Sequence, residues 1–311
     1  MAIYKANELD FTNKKISILI YGVPSIGKTT LALSAPKPLL IDLDRGIARV
    51  EAEYRKDTLI ANSFEEMKND LTTSDLSDYE TIVIDTAGAL LELEKAYVIK
   101  KEKKNSTKTG SLTLAGYGAI GREFKEFTDF VKGLGKHIVF IFHADEQHDG
   151  DEVKYRLSAE GSTKTKIWES IDLGGFMEVT GRERTINFSA NSRSFAKGNH
   201  NINGSYKIPV LKKGTPNTFL TDLINTYINK LNESTKSLNE AQKKYEKAMK
   251  FADVIKDTKD VNATYQELKK LDHALTSKRE LFTLLTNKAK EFNQVFSMKA
   301  NAFITVEKTE E

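Results

Sequence analysis

The run Gly22-Val23-Pro24-Ser25-Ile26-Gly27-Lys28-Thr29-Thr30 sets two glycines, a lysine and a hydroxyl at a spacing that suits one chemistry. Gly22 and Gly27 let the backbone curl so that successive N–H groups converge on an anion. A helix beginning at Lys28 adds its partial positive charge at the same place. Lys28 is then placed to reach the outer phosphates of a nucleoside triphosphate, and the Thr29 hydroxyl to ligate Mg²⁺. The motif needs a strand before it and a helix after it. Both flanks are present: the apolar run 15–20 precedes it, and Leu31-Ala32-Leu33 follows.

Two further apolar runs end in acid. Thr81-Ile82-Val83-Ile84-Asp85 reads as a buried parallel strand, which brings Asp85 to the carboxyl edge of the sheet, where it can hold Mg²⁺. Asp85 and Thr86 also suit a helix N-cap. Leu39-Leu40-Ile41-Asp42-Leu43-Asp44 lies between the loop and the Asp85 strand in sequence. It is expected to insert beside the loop strand, an arrangement of hydrolysing ATPases more than of nucleotide kinases. Asp44 at its tip is the candidate for polarising the attacking water. Asp42, inside the run and not at its tip, is the weaker candidate. His137-Ile138-Val139-Phe140-Ile141-Phe142-His143 is the third apolar strand, and His143 is expected at the same edge, within reach of the γ-phosphate.

Composition bounds the rest. A chain of 311 residues suits one large domain or two smaller ones. With 39% hydrophobic and 29% charged residues it can bury a core. There is no cysteine, which excludes disulfides, thiolate zinc sites and thiol nucleophiles. Five scattered histidines do not suggest a metal cluster, and the net charge of +3 is too small to argue for nucleic acid unaided. The N-terminus lacks the apolar core of a signal peptide, and no run is long enough to span a bilayer; a cytoplasmic setting is expected.

Residues 15–143 alternate apolar runs with helical patterns, the texture of a mostly parallel sheet with covering helices. A short helix is expected over 47–54 and a weak strand at 58–60. Ser63 and Glu66 form a capping box for the next helix, and longer helices follow over 87–104 and 117–134. Hairpins are expected over 145–158, with the turn signal Asp149-Gly150-Asp151, and over 174–197.

The phosphate loop, the acid-tipped strands, the segment Ser111-Leu112-Thr113-Leu114-Ala115-Gly116-Tyr117-Gly118 and the strand ending Phe140-Ile141-Phe142-His143 occur in a familiar order. Over residues 10–212 the chain resembles the RecA-like ATPases of bacteriophages, a group that includes single-strand annealing and recombination proteins. The resemblance implies an α/β RecA-like P-loop core that binds and hydrolyses ATP with Mg²⁺ and acts on single-stranded DNA. It also implies a homo-oligomeric ring or filament, often beside a single-strand binding protein. Lys28 and Thr29 would bind phosphate and metal, Asp85 would be the acid of the second ATPase motif, and Asp44 stands where relatives often carry the longer Glu. DNA-binding loops in such proteins follow the strands of Asp85 and His143.

In those stretches Lys154, Arg156 and Lys164 are candidates for a phosphate backbone, with Lys104 and Lys108 as a second basic stretch and Tyr155 as a stacking partner. Subunits of such assemblies supply a cation to a neighbour's site, and Lys197 is the expected one. From Pro216 glycine disappears, no further proline follows, and Phe219, Leu220, Leu223, Ile224, Tyr227, Ile228 and Leu231 recur at helical steps. The expected division is an ATPase core over 1–212 and a helical hairpin or coiled coil over 213–311, with helix continuing to about residue 302. The rival reading is a nucleotide-dependent switch whose tail binds a protein without DNA contact. A small-molecule kinase fits poorly, because no arginine-rich lid is visible.

Overall fold

The computed structural model describes residues 9–150, 152–160 and 163–306. Its first strand, β1 (Ser17–Gly22), is buried along its whole length, as its β-branched run requires. The phosphate loop leads into α1 (Lys28–Ala32), then β2 (Pro38–Asp42). The expected helix over 47–54 is two 3₁₀ turns, Ile47–Arg49 and Ala52–Tyr54, ahead of the short β3 (Thr58–Leu59). In α2 (Phe64–Thr73) the Ser63 hydroxyl caps Glu66 N–H, while the Glu66 carboxylate accepts from Asn62 N–H at 2.8 Å. The capping box is therefore reciprocal but displaced by one residue. Then come β4 (Thr81–Asp85), α3 (Ala87–Lys101), α4 (Leu114–Gly133) and β5 (His137–Asp149).

The expected hairpin after His143 is the outer half of β5 paired antiparallel with β6 (Glu152–Leu157), Asp145 standing opposite Arg156. After α5 (Thr163–Ser170), β7 (Leu173–Thr180) returns parallel to β1, and β8 (Glu183–Asn187) and β9 (Ser205–Ile208) extend the sheet antiparallel. The strand order is β3-β2-β4-β5-β1-β7-β8-β9, with β6 off β5. The strand between the loop strand and the Asp85 strand is thus β5. The acid-tipped β2 lies on the far side of β4, which corrects the expectation that it sits beside β1. Hydrogen-bonding order in the sheet is not sequence order, because each helical crossover can skip a position.

One core holds the helices to this sheet. Phe124 and Phe127 of α4, Phe140 and Phe142 of β5, Phe64 of α2 and Ile82 and Ile84 of β4 are all essentially inaccessible. Buried aromatic side chains of this size dominate a core, each worth roughly 1.5–3 kcal/mol of hydrophobic transfer. That rigid floor is what holds the carboxyl ends of β1, β2, β4 and β5 in register: Gly22 stands opposite His143, and Asp42 opposite Asp85.

The chain divides into two compact units, the first Thr12–Lys230 and the second the residues from Leu231 on together with the segment up to Phe11. The boundary lies inside α6 (Phe219–Met249), later than the expected 212, because Leu220, Leu223, Ile224 and Tyr227 belong to the first unit and are buried there. Leu220 N–H and Thr221 N–H are both taken by Ser34. The second unit continues with α7 (Phe251–Asp257), α8 (Val261–Leu268) and α9 (Ser277–Lys290) around Ile255, Tyr265, Leu268, Leu281 and Leu285. It is helical as expected, but helix does not run to residue 302. Strands β10 (Gln294–Ser297) and β11 (Ala302–Thr305) form a hairpin there, Phe296 facing Phe303. Asn293 and Asn301 adopt left-handed backbone, which stops α9 and turns the hairpin, a conformation asparagine tolerates better than most residues. Among the described residues no helix is long and apolar enough to cross a membrane.

Candidate nucleotide site

Two glycines make the phosphate loop possible. A Cβ on Gly22 would lie 2.4 Å from the Met177 carbonyl oxygen and 2.7 Å from Ile26 Cδ1, so the loop can start against β7 only without a side chain. Gly27 has φ 92°, in the left-handed region that glycine enters freely. Between them the backbone folds over Lys28, whose Nζ donates to the carbonyls of Gly22 (2.9 Å) and Val23 (2.7 Å). Burial pushes this ammonium down to about 8, against the opposing pull of Asp85 and Asp44.

Thr29 and Asp85 meet across the loop, Thr29 Oγ1 donating to Asp85 Oδ2 at 2.6 Å. Burial raises Asp85 to about 6; the Thr29 hydrogen bond opposes the rise, the Asp44 and Asp42 charges add to it, and Lys28 works against it. Hydroxyl and carboxylate together are hard oxygen donors of the kind Mg²⁺ takes. Among the described residues no cluster of three or more metal-ligating side chains is present. One hydroxyl and one carboxylate suit an ion which keeps several waters and binds through one or two protein oxygens plus phosphate.

The two acids of the β2 edge have separated roles. Asp42 is buried, and its two oxygens accept from Gly46 N–H (2.8 Å) and Ile47 N–H (3.0 Å), fixing the turn after β2. Asp44 lines the cleft, with Oδ2 3.5 Å from the Arg49 guanidinium and Oδ1 buried without a hydrogen-bond partner among the described residues. His143 reaches the same cleft from β5. Desolvation and the nearby Lys28 charge lower its pKa, so it is neutral at pH 7. A cavity of about 340 Å³ brings together Lys28, Thr29, Asp44, Asp85 and His143, and with them Arg49.

Arg49 and Arg184 are the additions that sequence reasoning missed. Arg49 follows a turn that carried no motif. Arg184, on β8, places Nη1 3.5 Å from the Cβ position of Gly27. It lines a second cavity of about 270 Å³ that shares Gly27 and Thr30 with the loop and is walled by Met177, Tyr206, Ile208 and Pro216. Asn217 Nδ2 holds its floor by donating to the Thr30 carbonyl at 2.7 Å. These residues come from β7, β8, β9 and the segment just before α6, too dispersed in sequence to be read as one feature.

The remaining candidates lie elsewhere. Lys104 pairs with Glu102 at 2.6 Å, and Lys108 lies with it on the exposed segment between α3 and α4. Lys154 and Arg156 are on β6 and Lys164 is on α5. Arg156 and Lys164 share the lining of a third cavity, which Lys197 joins. The Lys197 ammonium donates to the carbonyls of Trp168 (2.9 Å) and Ile171 (2.5 Å), closing the C-terminal end of α5. This structural task occupies the group expected to act on a neighbour's phosphate.

No curated protein matches the chain. A family model described as an AAA domain matches residues 14–200, which hold the loop, both acid-tipped strands and His143. The chain belongs to this AAA domain family of P-loop nucleotide-binding ATPases.

Proposed function

We propose that this protein is a Mg²⁺-dependent ATPase acting on single-stranded DNA, in the annealing or strand exchange that its resemblance to phage recombination ATPases implies. The observation that carries the hydrolytic part is the single cleft shared by Lys28, Thr29, Asp85, Asp44 and His143. The loop N–H groups and Lys28 hold the outer phosphates, and the cavity beside Gly27 and Thr30 has the size and apolar walls to take the base, with Arg184 between the two. Thr29 and Asp85 are the residues that would hold Mg²⁺, which when bound neutralises charge on the phosphate oxygens. Asp44, with a free buried oxygen facing a half-exposed cleft, orients the attacking water. His143, neutral and midway along β5 where the parallel pairing with β1 ends and the β5–β6 hairpin begins, links the γ-phosphate position to that hairpin.

The DNA part rests on Arg156 and Lys164 beside the aromatic side chains Trp168 and Phe195. Homo-oligomers on DNA, and a single-strand binding protein nearby, belong to the same proposal. The test is ATP turnover with and without single-stranded DNA at low and moderate salt, with Lys28→Ala as the blank. Turnover that rises with DNA, less so as salt increases, supports the reading. Turnover indifferent to DNA moves the assignment to a nucleotide-dependent switch whose second compact unit binds a protein partner, a reading that the exposed Met298 of its hairpin turn favours.

A further inference from the structure

The cavity between β6, α5 and the segment after β8 is the largest of those described, about 650 Å³, and nothing in the hydrolytic machinery uses it. Its walls are Trp168 and Phe195, edge to face with centroids 4.7 Å apart, and Phe195 is 48% exposed. Its rim is cationic. Lys164 stands on one side. Arg156 stands on the other, with Nη1 bound to the carbonyls of Tyr155 (2.9 Å) and Arg193 (3.1 Å), which fixes the guanidinium and, among the described residues, leaves Nε and Nη2 as donors. The one acid in the lining, Glu169, is paired with Lys166 at 2.7 Å. Asn191 Oδ1 is saturated by Arg193 N–H, Ser194 N–H and the Ser194 hydroxyl, so the amide presents its NH₂ as a donor.

An open aromatic cavity with two cations at its edge, Arg156 held in place, and its acid paired with a lysine complements a flat ring that carries an anion. We propose that it seats one unpaired base of single-stranded DNA, the ring against Trp168 and Phe195 and the adjoining phosphate between Lys164 and Arg156. This deepens, and rests on, the reading that the chain acts on single-stranded DNA. A base in a duplex is stacked and paired, so the site discriminates against double strands. The seat also touches the phosphate loop's own strand: Tyr21, the residue before Gly22, donates its hydroxyl to the Phe195 carbonyl at 2.6 Å and meets Trp168 edge-on at 6.0 Å.

Trp168 is the only tryptophan of the chain, so its fluorescence reports on this cavity alone. The experiment titrates a fluorescein-labelled oligo(dT) into the full chain, following anisotropy of the label and, with unlabelled oligo(dT), emission of Trp168. Quenching that saturates with the anisotropy is expected, and none with a duplex. Phe195→Ala should weaken oligo(dT) binding about tenfold while Phe195→Tyr, which keeps a ring, holds the affinity. Lys164→Gln should reduce the slope of log affinity against log salt by about one. Anisotropy that rises with Trp168 emission unmoved, and Phe195→Ala binding like the wild type, overturns the base seat and leaves the DNA reading standing. No rise in anisotropy overturns both. A Trp168 change that follows protein concentration without DNA, together with a larger sedimenting species, overturns the seat in favour of a second copy of the chain.

Discussion

Asp85 and Lys28 face each other with pKa values displaced in opposite directions, up to about 6 and down to about 8, each chiefly by burial. In the proposed mechanism Asp85 acts ionised and Lys28 protonated. The kcat/KM for ATP is therefore expected to rise with pH through about 6 and to fall again above about 8, a narrow bell measured on the free enzyme's groups. Asp42 and Asp44 are separable by one substitution each. Asp44→Asn should lower turnover about a hundredfold and leave nucleotide binding intact, as read by steady-state kinetics beside a binding titration. Asp42→Asn removes an acceptor from the buried turn formed by Gly46 and Ile47 N–H. It should cost about 1–3 kcal/mol in urea unfolding instead. The sequence placed Asp44 at the tip of its run, but alternation cannot separate it from Asp42, since residues two apart share a strand face; nor could it show Arg49 beside Asp44, since that pair depends on a 3₁₀ turn with no motif.

At the scale of elements, the phosphate loop works because β1 and β7 approach until only a glycine fits between them. Gly22→Ala is expected to destabilise the first unit by about 1–3 kcal/mol and to weaken nucleotide binding, because the Met177 carbonyl is backbone and cannot step aside as a flexible side chain would. Urea unfolding with and without ATP checks both effects. Strong period-two and apolar patterns made β1, β2, β4 and β5 legible, and the Asp149-Gly150 signal marked the β5–β6 hairpin. The end of the second unit was misread because Lys and Glu spaced among apolar residues look helical, whereas asparagines at left-handed positions turn the chain into β10 and β11.

Across the whole molecule the least expected burial is that of Glu94, fully inaccessible in α3 with neither carboxylate oxygen hydrogen-bonded among the described residues. Burial, aided by the charge of Glu123 and opposed by Lys68, raises its pKa well above the usual carboxylate range. The folded chain therefore holds this proton more tightly than the unfolded one. Its contribution is full below the ordinary glutamate pKa and is lost as pH rises towards the folded value. Glu94→Gln should remove that slope: in urea unfolding the variant gains about 1–3 kcal/mol over the wild type at pH 8 and little at pH 4.

The sequence alone determined the phosphate loop, the strands that lead to Asp44 and carry Asp85 and His143, and hence the class of chemistry, because those features are local: spacing, apolar runs and a turn within a few residues. Only the tertiary structure decided that β5 and not β2 stands beside the loop strand, that Asp42 fixes a turn while Asp44 faces the cleft, and that Lys197 closes α5. It alone gathered Arg184 to Gly27 and Phe195 to Trp168. Each of these is a contact between segments far apart in the chain, fixed by crossover order and by packing on a shared core, and no periodicity in a linear sequence encodes which distant neighbour a side chain meets.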